Sequence, residues 1–245
     1  IFIISHSVHY TLGYFKMNKM TQYDKKQLML SHLRSLIDND LHELKELSSL
    51  VENFLRKEFH STLERAEKEI ADDLPEDEQY FLEACYSEDL QKIEKLFPRI
   101  QRYSLFTTAM SMIEGSVVAL CRGAKQIFNL TEEFDTKKPN VINRGIKYLE
   151  KNLGIITNRY KYYIAFVDSL RKVRNCIVHE EGRVSGREDE SDIRSFISTI
   201  PTIELDKFDR IVILEGFIDS SSHTANLLIQ RLFDSIRSMA KEFSK

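Results

Sequence analysis

No glycine or proline interrupts the chain from Gln22 to Asp72, and apolar residues recur through it at intervals of three and four. They are Leu33, Ile37, Leu41, Leu44, Leu47, Val51, Leu55 and Phe59. That period over that length predicts amphipathic helix, either one long helix or two stacked ones. Helix breakers are just as scarce elsewhere, with 8 Gly and 4 Pro in 245 residues. Long unpunctuated segments of helix-period pattern predict an all-α fold. The stripe at 22–72 fits ordinary packing better than a free partner-binding arm, because most amphipathic stripes face a core.

The few breakers give the expected punctuation. Pro75 followed by Glu-Asp-Glu opens a second helix running to about Leu96, with Pro and acids in its first turn. Pro98 marks a break, after which a helix from about Arg99 to Phe128 is apolar on most sides, as befits the middle of a bundle. Its central stretch carries one acid, Glu114, which invites a partner such as Arg. A short helix follows from about Pro139 to Leu153, ending at Gly154, and another from about Asn158 to His179, closing near Gly182. The polar stretch Glu180 to Asp192, with Gly182 and Gly186, reads as a mobile loop. Phe196–Leu205 and Arg210–Phe217 read as a small β-hairpin turning through Asp206-Lys207-Phe208-Asp209, and a last amphipathic helix covers about Asp219 to Phe243. The expected division is a tail at 1–20, an N-terminal helical arm at 21–97 and a helical domain at 98–245.

Several classes are disfavoured. Cys85, Cys121 and Cys176 are odd in number and far apart, which argues against a disulfide framework or a metal-ligand cluster and for reduced thiols. No run of apolar residues approaches the ~20 of a membrane helix, so a soluble, cytoplasmic protein is expected. Ile1-Phe2-Ile3-Ile4 lacks the features of a signal peptide, and Met17 and Met20 make residues 1–16 read as an upstream extension. A net charge of −3 confines any contact with nucleic acid to a local patch, and duplex DNA is not an expected partner.

The informative segment is Ser169-Leu-Arg-Lys-Val-Arg-Asn-Cys-Ile-Val-His179. At about 100° per residue, Phe166, Leu170, Val173 and Ile177 form a core stripe. A second group, Ile164, Val167 and Val178, lies further round, interleaved with Arg171, Arg174 and Asn175, with His179 at its edge. Two apolar faces on one helix predict packing on its own domain and against another helix, such as that of a symmetric partner. On a regular helix Asn175 and His179 share a face, whereas Arg174 and His179 point about 140° apart.

Arg174-Asn175-Cys176-Ile177-Val178-His179 resembles the signature of the HEPN superfamily (higher eukaryote and prokaryote nucleotide-binding), an Arg followed four to six residues later by His, with a polar residue directly after the Arg. The likeness extends over roughly residues 98–182: an apolar helix bearing Glu114, a short helix, then the motif near a helix end. It implies a four-helix-type bundle that dimerises with two motifs face to face. Many members are metal-independent endoribonucleases in toxin–antitoxin, phage-defence and RNA-processing systems, so RNA would be the substrate and an antitoxin or other protein a further partner, with no cofactor or metal.

Metal-free RNA cleavage needs a base for the 2′-hydroxyl, a cation for the charge growing on the phosphate, and an acid for the leaving oxygen. His179 suits the proton transfers and Arg174 the phosphate. Asn175 orients one of them or binds a phosphate oxygen, with Glu114 and Arg171 in support. Because Arg174 and His179 diverge, either the helix unwinds near Val178, or the Arg side chain swings round, or the pair forms across a dimer. The plainer alternatives are a helix-terminal His179 held by the dipole and an Arg174 that is only an ion-pair partner of Glu114. A non-catalytic HEPN-like assembly module and a structural adaptor are the rival functions. His32, His42, His60 and His223 read as surface or packing residues.

Overall fold

The computed structural model describes residues 22–70 and 74–242, apart from the side chains of Gln22, Tyr23 and residues 36–41. The expected tail, the end of the first helix at Asp72, and the Ile37 and Leu41 side chains lie outside the described residues. The elements run α1 (Gln22–Glu69), α2 (Glu76–Gln91), a π-helical turn (Lys92–Leu96), α3 (Phe97–Phe128), α4 (Val141–Leu153), a 3-10 turn (Thr157–Tyr160), α5 (Lys161–Glu180), α6 (Glu190–Ser198), β1 (Ile203–Leu205), β2 (Ile211–Ile213) and α7 (Phe217–Glu242). The fold is mostly helical with one small antiparallel pair of strands.

The stripe at 22–69 forms a single helix, α1. Its N-terminal half is part of the core: Leu30, Leu33 and Leu44 are buried in the same cluster as α3 and α7. Beyond Leu44 burial is looser: Leu47, Leu50 and Phe54 are exposed, Val51, Leu55 and Phe59 are half-buried, and Ala66 is buried.

Pro98 does not break the chain as the sequence suggests. A proline inside a helix cannot donate its N–H and its ring crowds the preceding turn. Here the turn just before it is widened, and the Phe97 N–H reaches back to the Lys92 carbonyl, five residues away. The extra residue carries the helix past the ring. Glu76 to Phe128 is therefore one helix of 53 residues, and by length and composition it is apolar enough to cross a membrane, contrary to the sequence expectation. Half of its most apolar window is buried inside the bundle.

α3 is the centre of that bundle and packs against α1, α4, α5, α7 and β2. Met110, Val117, Leu120, Cys121 and Ala124 have no exposed surface. Each large apolar side chain so buried contributes roughly 1.5–3 kcal/mol. Arg102 on α3 forms a two-pronged pair with Glu52 of α1, at 2.6 and 2.8 Å, and donates a third bond to the Ile213 carbonyl of β2 at 3.1 Å. The pair is about 15% exposed and joins three elements across the residue-97/98 line.

The hairpin is smaller than expected. Ile203 pairs with Ile213, Glu204 with Val212 and Leu205 with Ile211. The Asp206 carboxylate closes the turn by accepting from the Phe208 and Arg210 amides at 2.8 and 2.9 Å. Phe196 belongs to helix α6, not to a strand. Its neighbours Ile193, Ile197 and Ile200 recur at helical spacing, with acids in the first turn. The stretch before it is tied down rather than loose: Val184 is buried, Arg187 pairs with Asp189 at 2.8 Å, and the Gly186 amide donates to Glu190 at 2.8 Å.

Two glycines test the packing in opposite directions. A Cβ at Gly145 would run into Val117 Cγ1 and lie 3.2 Å from Cys121 Sγ, whereas one at Gly115 would meet nothing within 4 Å. Gly145→Ala should lose about 1–3 kcal/mol in urea unfolding, and Gly115→Ala, inside α3, should gain about 0.5–1 kcal/mol.

Candidate functional site

The core face of α5 is Val167, Leu170, Val173, Cys176 and Ile177, all buried. This corrects two expectations. Val167 is fully inside the protomer's own core and leaves only Ile164 and Val178 of the second apolar group toward the surface; Val178 is 49% exposed. Phe166 is only half-buried: it stacks on Tyr162 and meets Phe196 of α6 edge-on, with ring centres 5.4 Å apart. The helix is turned toward Val167 because α6 takes the flank that the hairpin reading left empty.

This rotation sets the outer face. Asn175, Val178 and His179 all come to the side of α5 away from the core, and Arg174 lies on the flank nearest α3. Arg174 reaches across to Glu114, Nη2 to Oε1 at 2.9 Å, and donates from Nη1 to Asn175 Oδ1 at 3.0 Å. The two charged side chains are about a quarter exposed. Arg174 Nε is buried without a hydrogen-bond partner among the described residues. Arg174, Asn175 and Glu114 are thus one cluster, as their sequence pattern suggests, and the guanidinium is held in place before any ligand arrives.

His179 is not part of that cluster. It is exposed, and among the described residues no hydrogen bond or ion pair holds it. Arg171 also points elsewhere. Its Nε and Nη2 both donate to Asp168 Oδ1, at 3.0 and 2.9 Å, and Asn143 of α4 donates to the same oxygen at 3.0 Å. Lys172 completes the group by reaching Asp192 of α6 at 2.6 Å. This second polar network binds α4, α5 and α6 together. Its signal in the sequence is Asp168 three and four residues before Arg171 and Lys172.

The end of α5 is fastened to the hairpin. Glu181 and Gly182 both adopt left-handed backbone, and the Gly182 amide donates to the Cys176 carbonyl at 3.1 Å. The Tyr103 hydroxyl of α3 donates to the Ile211 carbonyl and fills the space a side chain at 182 would need. Burial pushes the Tyr103 phenol up to about 12. It likewise raises the Cys121 and Cys176 thiols, to about 12 and about 11, which keeps both protonated and unreactive. Cys85 is exposed. Among the described residues no group of three His, Cys, Asp or Glu side chains is placed to hold a metal ion.

No family model, curated protein or solved structure matches this chain.

Glu114→Ala leaves a partly buried Arg174 without its carboxylate and should cost about 1–3 kcal/mol in chemical denaturation. Tyr103 generates a pH prediction. The unfolded phenol titrates near 10 and the folded one near 12, so this residue's stabilisation is intact below about pH 10 and is lost as pH rises toward 12. Tyr103→Phe should flatten the stability curve in that window, as read by urea unfolding at a series of alkaline pH values.

Proposed function

We propose that the chain is an HEPN-like, metal-independent endoribonuclease that works as a homodimer. The observation that carries this reading is the state of Arg174. Its guanidinium is pinned by Glu114 and Asn175, five residues before His179 on the same helix. Pre-positioned donors stabilise charge that grows during a reaction without reorganising to do so.

Arg174 offers its remaining N–H groups to the non-bridging phosphate oxygens as the pentavalent state forms. His179, which has no hydrogen-bond or ion-pair partner among the described residues, transfers the proton between the 2′-hydroxyl and the leaving 5′-oxygen. Asn175 lies i−4 to His179 and steadies Arg174, and Glu114 sets the guanidinium's orientation. Arg171, bound to Asp168, supports the helix and does not touch substrate. Because Arg174 and His179 diverge by about 140° on a regular helix, the productive pair is formed across the dimer, with one protomer's Arg174 meeting the partner's histidine. Ile164 and Val178 provide the apolar contact. Toxin–antitoxin or antiviral defence is the setting this chemistry suits, in the cytoplasm.

One observation favours a second reading, a non-catalytic HEPN-like binding module. Arg174 already has its charge neutralised by Glu114, as a purely structural arginine would.

The two readings part on experiment. In the ribonuclease reading, Arg174→Ala and His179→Ala each lose about 10²–10⁴-fold in RNA cleavage, chelator leaves the wild type active, and the product ends in a cyclic phosphate. Mixing the two single variants restores part of the activity through heterodimers that hold one complete site. A wild type that cuts no single-stranded RNA, or that stays monomeric in light scattering at tens of micromolar, decides for the binding module.

A further inference from the structure

Arg183, just past the end of α5, and Arg210, at the entry to β2, are paired across an isolated antiparallel bridge. The Ile211 amide donates to the Gly182 carbonyl and the Val184 amide to the Asp209 carbonyl, both at 2.9 Å. These bonds flank the two arginines without joining them, so this is the narrow type of antiparallel pair, in which the opposed side chains stand closest. Two like charges directly opposite one another are destabilising. Arg99 belongs to the same neighbourhood. It lies one helical turn before Tyr103 on α3, and the Tyr103 hydroxyl is bonded to Ile211, the residue after Arg210.

None of the three has a carboxylate partner among the described residues, and Arg210 Nε is buried with no acceptor. The surrounding arginines are all paired: Arg102 with Glu52, Arg174 with Glu114, Arg187 with Asp189, Arg194 with Asp209. None of the nearby acids forms an ion pair with these three arginines among the described residues. The Asp206 carboxylate is taken by backbone amides, Asp209 by Arg194, and Glu180 and Glu181 are exposed and form no ion pair among the described residues. An unfavourable cluster of guanidinium groups, drawn from α3, the α5 exit and the hairpin, is what an external anion would relieve.

We propose that Arg99, Arg183 and Arg210 form a phosphate-binding patch that holds the backbone of single-stranded RNA beside the α5 site. The inference rests on the ribonuclease reading and deepens it by giving the substrate a track. The three residues come from three elements, Arg183 exposed and Arg99 and Arg210 half-buried, which suits an extended polyanion lying along the surface better than one enclosed ion. The patch also answers the overall net charge of −3: attraction for RNA is concentrated locally.

The test uses the full chain carrying His179→Ala, so that RNA is bound and not consumed, and compares it with the same chain carrying Arg183→Ala and Arg210→Ala in addition. Fluorescence anisotropy with a labelled single-stranded RNA is read over a salt series. The added substitutions should weaken binding roughly tenfold and lower the salt slope by about 0.7 for each phosphate that is no longer neutralised. The double substitution in the wild-type background should melt no lower than the parent, because it removes opposed like charges; an arginine pair that served packing would melt lower. Unchanged affinity and slope, with a wild type that still cleaves, overturns the patch alone. RNA binding that depends on Arg183 and Arg210, with no cleavage by the wild type, upholds the patch and overturns the ribonuclease reading. A melting shift with pyrophosphate that needs both arginines, without any RNA binding, assigns the site to a free anion and overturns the RNA track.

Discussion

The structure depends on the burial of α3. A polar side chain on the part of α3 that packs against four other helices and a strand loses water and needs a partner, and three of them find one on a neighbouring element. Arg102 finds Glu52 and the Ile213 carbonyl, Tyr103 finds the Ile211 carbonyl, and Glu114 finds Arg174. Those bonds add little net stability apiece, about 0.5–1.5 kcal/mol for neutral groups and somewhat more for charged ones. Their larger effect is on position. They fix which way α1, the hairpin and α5 face the centre, where apolar contact alone would tolerate sliding.

Much of this is legible in the residues. The stripe through Leu33 and Leu44 marks the buried face of α1, which the structure extends back to Leu30, and the almost uncharged stretch from Leu105 to Cys121 marks the central helix. Glu114, as the one acid in that stretch, points to an arginine partner, and Arg174 is that partner. What escapes is non-local. Pro98 reads as a stop unless the widened turn before it is known, and that turn is favoured by packing of α1 on both sides of it. Phe196 reads as strand because Ile, Thr and Pro follow it, although Ile193, Ile197 and Ile200 carry the helical period. Without α6, nothing in the pattern of α5 alone fixes its turn about its own axis, and Val167 reads as outward when it is buried.

The candidate site joins a rigid half to a free half. Arg174 has two internal anchors, one from its own helix and one from α3, while His179 has none among the described residues. Side chains lose rotamer freedom when they are held, up to roughly 2 kcal/mol for a long one. For Arg174 that loss is already taken in the folded chain and need not be met when a phosphate binds. His179 retains its freedom, which suits a group that must approach two different oxygens in turn.

The π-helical turn at Lys92–Leu96 has a consequence for evolution as well as for folding. One residue is worth about 100° of rotation along a helix, so an extra residue re-aims everything on one side of it relative to the other. Ile93 is buried just inside that turn and Leu105 and Phe106 are buried well beyond it, and the same unbroken α1 follows both. The widened turn therefore acts as a gear between two faces that would otherwise fall out of phase. A single-residue deletion there would restore an ordinary α-turn and bring the Pro98 ring against the turn before it, at a cost of about 3 kcal/mol or a kink. It would also rotate α2 relative to α3, turning the exposed Tyr80 and Phe81 to a different direction in space. A length change of one codon in this stretch thus re-aims that aromatic surface while leaving the residues of the α5 site unchanged.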